Sequence, residues 1–212
     1  MAEDTILAQP GGDSRSKRDV RAAMRQRRQA LSAGERMQAA EAISHHLLAS
    51  LLFDLTGYVA GYWAMGGELP LHVLQMRLRE GQVWCLPCVR PDNSLRFAPW
   101  RPGDPLVGNR YGIPEPELDP ASQLTAADMA VILLPLVAFT AGGARLGMGG
   151  GYYDRSLPLR LTQPAPPVLI GVGYGFQQVD RLPREAWDVP LDAVVTEAGL
   201  IACGPAGETM PA

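Results

Sequence analysis

The residues best suited to chemistry lie in one stretch, Ala144-Arg145-Leu146-Gly147-Met148-Gly149-Gly150-Gly151-Tyr152-Tyr153-Asp154-Arg155. Gly147, Gly149, Gly150 and Gly151 let the backbone approach a ligand closely and aim amide N–H groups at it. A helix starting at Tyr152 adds partial positive charge there, so phosphate is the natural guest. Arg145 is suited to bidentate contact with phosphate oxygens. Two common phosphate motifs do not fit: no Gly-Lys-Ser/Thr closes the loop, and Tyr152 stands where a dinucleotide fingerprint needs its third glycine. A second basic set, Lys17, Arg21, Arg25 and Arg28, falls on one helical face. Lys17 and Arg21 lie in its first turns, where cations oppose the helix dipole, and a polyphosphate would relieve that conflict. Arg25 and Arg28 read as a solvated basic face. Asp154, directly after the loop, is placed to help hold magnesium, which takes one or two carboxylates beside phosphate oxygens and waters. A carboxylate stabilising a helix start is the other reading of it.

The elements that must position these groups alternate between strand and helix. Ser16 caps a helix running to Leu31, and Ser32 with Glu35 has capping-box spacing for a second running to about Ser50, with Met37, Ala40, Ile43 and Leu47 as its buried stripe. Strands are expected at Gly57–Met65, Gln82–Val89, Leu95–Trp100, Met129–Phe139, Val168–Tyr174 and Leu191–Thr196. The near-continuous apolar run Met129–Phe139 suits a central strand covered on both faces. Leu71–Glu80 reads as a helix closed by Gly81, and Pro102–Pro120 as a long surface loop. The pattern implies an α/β chain with three α/β/α layers and a mostly parallel central sheet. One domain over residues 16–203 is expected, between tails at 1–15 and 204–212.

With 212 residues, 47% hydrophobic and 19% charged, the chain has the composition of a soluble globular protein. A net charge of -3 argues against a nucleic-acid partner. No segment reaches the roughly 18 apolar residues of a membrane helix, and Met1–Gly12 lacks the pattern of a signal peptide, so a cytoplasmic location is expected. Nothing marks an oligomer interface, which favours a monomer. Cys85 and Cys88, in Cys85-Leu86-Pro87-Cys88, read as core residues of a buried strand, since a zinc site would need two more ligands at workable spacing. His45, His46 and His72 read as structural or surface residues.

The run Arg145-Leu146-Gly147-x-Gly149-x-Gly151-Tyr152-Tyr153-Asp154 resembles the signature of the 5-formyltetrahydrofolate cyclo-ligase family. Lys17-x-x-x-Arg21, Glu68 after the first strand, Tyr111-Gly112-Ile113-Pro114-Glu115-Pro116 and Val189-Pro190-Leu191-Asp192 extend the resemblance over most of the chain. It implies ATP contacts from Lys17, Arg21 and the loop Arg145, Leu146, Gly147, Met148, Gly149, Gly150, Gly151, Tyr152 and Tyr153. It further implies magnesium held by Asp154 and Asp192, with Arg145, Tyr152 and Asp154 as the catalytic residues. Folate contacts are implied for Trp63 and Glu68, with the loop from Met148 to Tyr152. Beside them, Tyr111 completes an aromatic wall with Trp63 and Tyr152, and Glu68 can accept pterin N–H bonds. The implied reaction is ATP-dependent cyclisation of 5-formyltetrahydrofolate to 5,10-methenyltetrahydrofolate, with phosphoryl transfer to the formyl oxygen. A non-catalytic nucleotide-binding paralogue, or a sugar-phosphate enzyme of related architecture, stands as the alternative. The chain departs from the family pattern at Thr140, often aspartate, at Gly150, sometimes lysine, and at Leu69-Pro70-Leu71.

Overall fold

The computed structural model describes residues 16–203, so both expected tails lie outside the described residues. Two helices open the chain, each started by a reciprocal cap. In α1 (Lys17–Ala30) the Ser16 hydroxyl accepts from Asp19 N at 3.2 Å while Asp19 accepts from Ser16 N. Ser32 and Glu35 repeat the device at α2 (Ala33–Leu48). Each box satisfies two otherwise unpartnered N–H groups of a helix start.

Seven strands form one sheet: β1 (Gly57–Ala60), β2 (Gln82–Val89), β3 (Leu95–Pro99), β6 (Met129–Pro135), β9 (Val168–Val172), β10 (Ala193–Thr196) and β11 (Gly199–Ala202). Their order is β11-β10-β9-β6-β1-β2-β3, with five parallel central strands and an antiparallel strand at each edge. Between them lie the one-turn α3 (His72–Gln75), a hairpin of β4 (Leu106–Gly108) and β5 (Pro114–Pro116), a second small pair, β7 (Ala138–Phe139) and β8 (Arg145–Leu146), and α4 (Tyr152–Ser156).

Alternation of side chains along the strands fills two cores. Val59, Leu86, Leu133 and Ile170 meet Ala40, Ile43 and Leu47 of α2 on one face. Ala60, Cys85, Ile132, Leu134 and Val194 meet Leu157 and the partly covered Tyr152 and Tyr153 on the other. This is the expected three-layer α/β/α arrangement, with the burial on both faces that a parallel sheet requires. Chain order reverses between β1, which leads to β2, and β6, which leads to β9. Such a switch leaves a crevice at the carboxyl ends of the strands.

Several expected boundaries are corrected. Met37 is 46% exposed at the margin of the α2 stripe, and Ala39 and Ser44 are buried instead. The first strand ends at Ala60 rather than Met65. Gly61 must lie against the Trp84 ring, where a Cβ would come within 1.9 Å, and Gly66 and Gly67 then turn the chain at φ 56° and 80°. The helix expected at Leu71–Glu80 makes one turn, because Arg79 leaves it to bind Asp54 and the Leu48 carbonyl. The run Met129–Phe139 breaks after Pro135, where the buried Gln177 amide donates to the Leu136 and Val137 carbonyls at 2.6 and 2.8 Å. Pro102–Pro120 contains the β4–β5 hairpin, and β11 extends the sheet beyond the last expected strand.

Candidate active site

A cleft of about 690 Å³ opens over the carboxyl ends of β1, β2 and β6, at the switch point. Its size is that of a small-molecule site. The α1 helix forms one wall, the turn after β1 a second, the β4–β5 hairpin a third, and the glycine loop with α4 the floor and far side.

The glycine loop is built as the sequence suggests. Thr140 closes its base: its N–H donates to the Ala144 carbonyl at 2.9 Å, and its hydroxyl accepts from Ala144 N at 3.2 Å. Threonine thus does in this chain what an aspartate side chain does well, capping a turn through its oxygen. Gly149 and Gly151 sit at φ 102° and 67°, conformations that L side chains rarely adopt. Gly150 is needed for a different reason, since a Cβ there would meet the Tyr152 ring at 2.3 Å. A lysine at this position is therefore incompatible with the present Tyr152 placement.

Cations gather around the loop. Arg21 Nε donates to the Gly147 carbonyl at 2.9 Å, pinning α1 to the loop. Its guanidinium lies 3.5 Å from where a Gly149 Cβ would stand. Lys17 borders the same cleft and approaches Glu185 at 3.9 Å. The Arg145 side chain is only 8% exposed and pairs with Asp154, whose Oδ1 also accepts from Val189 N at 3.3 Å. Leu146 packs inward with Met24 and Val137, while Met148 is 52% exposed at the loop's tip.

Opposite the loop, Tyr111 of the hairpin reaches across and shares a hydrogen bond with the Tyr152 hydroxyl, their rings edge to face at 6.1 Å. That bond, with Arg110 nearby, holds the Tyr152 hydroxyl below its ordinary pKa. Tyr153 is turned inward, and burial pushes its hydroxyl well up. Trp63 stands edge-on to Trp100 at 6.1 Å and is 38% exposed toward the cleft. Glu68 accepts from Met65 N at 3.0 Å, and burial raises its pKa, opposed by that N–H and by Arg28.

The structure therefore brings Lys17, Arg21, Trp63, Glu68, Tyr111, Arg145–Asp154 to one cleft, and leaves out Asp192. Both Asp192 oxygens are engaged elsewhere, one by Arg160 at 2.6 Å and the other by Leu169 N at 2.7 Å. Its expected partnership with Asp154 around a metal is corrected: the residue ties β9 to the segment carrying Arg160. Arg25 and Arg28, read from sequence as a solvated face, both line the cleft, and Arg28 is 2% exposed. Their spacing with Lys17 and Arg21 already carried that signal. Trp187, 63% exposed at the rim, had no motif to mark it. Cys85 and Cys88 are buried in β2 as expected, and burial pushes both thiols up to about 12.

Fold and cleft define a class: an α/β protein whose glycine loop, ringed by cations, faces an aromatic wall across the switch point of the sheet. The chain belongs to the 5-formyltetrahydrofolate cyclo-ligase family, whose model matches residues 13–197. It is 37% identical over 176 residues to the 5-formyltetrahydrofolate cyclo-ligase of Escherichia coli K12, covering 82% of this chain and 96% of that protein. The Haemophilus influenzae protein of the same name is 34% identical over 182 residues, covering 84% and 96%. The solution structure of Aquifex aeolicus 5,10-methenyltetrahydrofolate synthetase superposes with a TM-score of 0.76 at 32% identity, covering 92% of this chain and 96% of that one. Among the described residues no helix is long and apolar enough to cross a membrane.

Proposed function

We propose that the protein catalyses ATP-dependent cyclisation of 5-formyltetrahydrofolate to 5,10-methenyltetrahydrofolate, releasing ADP and phosphate. The observation that carries this is one cleft holding both a cation-ringed glycine loop and an aromatic wall ending at a carboxylate. Backbone N–H groups of residues 147–151, with Lys17, Arg21 and Arg145, suit the ATP polyphosphate. Trp63, Tyr111 and Tyr152 suit the flat rings of the folate, and Glu68 accepts N–H bonds from the pterin.

In this reaction the formyl oxygen attacks the terminal phosphorus and ADP leaves. N10 then attacks the activated carbon and gives up its proton, and phosphate departs with the C–O electron pair. Such phosphoryl transfer needs positioning and charge neutralisation more than a side-chain nucleophile. Arg145, held by Asp154 in a site nearly closed to water, supplies fixed positive charge at the loop. Asp154 also fits as the protein ligand of magnesium: it is partly exposed, faces the cleft, and among the described residues its Oδ2 accepts no hydrogen bond. Asp192 does not fit, both its oxygens being engaged. When bound, magnesium would neutralise charge on the phosphate oxygens, with phosphate and water completing its shell. ATP and the reduced folate are then the partners of a cytoplasmic monomer with no nucleic acid to bind, in keeping with the net charge of -3.

The test is to mix the purified protein with Mg-ATP and 5-formyltetrahydrofolate and follow the near-ultraviolet absorbance of the methenyl product. A chromophore that requires ATP, and that falls by about 100-fold or more in rate in Arg145→Ala, is expected. A flat trace with intact ATP binding would reject the reaction in favour of a nucleotide-binding paralogue.

A further inference from the structure

Arg28 is an arginine where burial is hardest to explain. It is 2% exposed at the floor of the cleft, yet among the described residues it forms no ion pair. Nη1 donates to the Leu136 carbonyl at 3.3 Å, and Nε is buried with no partner. A buried charge without a paired opposite charge is costly, and a chain retains one where the charge serves something else.

What it faces is the turn that carries Glu68. Gly67 packs directly on Arg28: a Cβ at Gly67 would stand 3.2 Å from the Arg28 carbonyl oxygen and 3.3 Å from the Arg28 Cβ. Glu68 therefore leaves the turn from a point fixed against α1 at this residue. One Glu68 oxygen accepts from Met65 N at 3.0 Å, and among the described residues the other accepts no hydrogen bond. The remaining titratable neighbours are Tyr62 from the turn, Tyr153 from α4 and, behind Tyr62, Tyr174, with Arg145 beyond Tyr153. Burial pushes all three tyrosine hydroxyls up, so they stay neutral, and Arg28 is the charge that acts on Glu68.

We propose that Arg28 is a positioning residue for Glu68: a buried cation, anchored to Leu136 and to the glycine turn, that keeps Glu68 a carboxylate free to accept N–H bonds from the ligand. Arg28 itself does not touch the ligand, its unpartnered nitrogen being covered by protein. That the ligand is the folate rests on the proposed function; the effect on Glu68 does not. Burial favours the neutral acid of Glu68, and the Met65 N–H and the Arg28 charge oppose it. With Arg28 neutralised, burial is less opposed, the Glu68 midpoint rises, and the carboxylate fraction falls on the acid side of neutrality.

The experiment is a 13C titration of the Glu68 carboxyl in the ligand-free protein, comparing wild type, Arg28→Gln and Arg28→Lys. An upward move of the midpoint in Arg28→Gln, with Arg28→Lys close to wild type, is the expected result. An unmoved midpoint in folded Arg28→Gln overturns the proposal. If that variant does not fold, Gly67→Ala takes its place, since its Cβ pushes the Glu68 turn off α1 while keeping the charge; there too an unmoved midpoint overturns it. Steady-state kinetics then give a split that a merely structural role would not: KM for the folate rises about tenfold in Arg28→Gln and more steeply as pH falls, while KM for ATP holds. Equal rises in both overturn the assignment to Glu68. Absence of turnover in the wild type itself would sink the proposed function and leave the titration result standing.

Discussion

Asp154 and Asp192 look alike in sequence, each a lone aspartate beside a strand or helix start, and only their hydrogen bonds separate them. Asp192 has one oxygen on Arg160, whose side chain is 8% exposed, and the other on the Leu169 N–H of a fully buried strand. Asp192→Ala is therefore expected to lose about 2–3 kcal/mol of stability in urea unfolding, by stranding both donors. At temperatures where it stays folded, its magnesium dependence should match wild type, and a changed magnesium requirement would return Asp192 to the active site. The cysteines make a second residue-scale case. With their thiols pushed up to about 12, Cys85 and Cys88 carry almost no thiolate at pH 8. Native protein should leave both unlabelled by a thiol reagent on a timescale that labels them fully in denaturant, and prompt labelling of either would contradict their placement in β2.

At the level of elements the glycine loop separates two demands that a sequence cannot tell apart. Gly151 needs its left-handed backbone and has the Arg155 guanidinium 3.2 Å from where a Cβ would lie. Gly147 has a permissive backbone and nothing within 4 Å of that position. Thermal unfolding of Gly151→Ala should show a loss of about 1–2 kcal/mol, and that of Gly147→Ala almost none. An equal loss at both would mean that the loop's conformation has been misassigned. The loop itself, the capped starts of α1 and α2 and the central apolar strands were legible because each rests on local chemistry: glycines, Ser-x-x-acid spacing, unbroken burial. Long-range partners were not legible. Nothing near Leu136 in sequence announces that Gln177 will end its strand, and nothing near residue 72 announces that Arg79 will leave the helix for Asp54. The site divides the same way. The loop and Lys17 with Arg21 could be read from the chain, whereas Arg28 and Trp187 enter the cleft only through the packing of α1 and of the segment after β9.

Across the whole molecule, α1 is attached differently from α2. The second helix lies on the sheet through Ala39, Ala40, Ile43 and Leu47. The first meets a small separate cluster, Met24 with Val137, Ala138 and Leu146, and is pinned by Arg21 to the Gly147 carbonyl and by Arg28 to the Leu136 carbonyl. The cleft lies between α1 and the glycine loop, so a ligand there bridges the most lightly packed helix to the β6–β8 region. Binding confined to the folded state adds about 2.7 kcal/mol at a ligand concentration 100 times Kd. For a chain of this size each kcal/mol is worth about 2–4 °C, so saturating Mg-ATP should raise Tm by about 5–10 °C. Amide exchange should slow in α1 before it slows in α2, because α1 gains the new contacts. In Asp154→Ala the magnesium-dependent part of the Tm shift should vanish while ATP alone retains its smaller effect through Lys17 and Arg21. A full magnesium-dependent shift in that variant would move the metal away from Asp154, and no shift with ATP in the wild type would remove the nucleotide from the cleft.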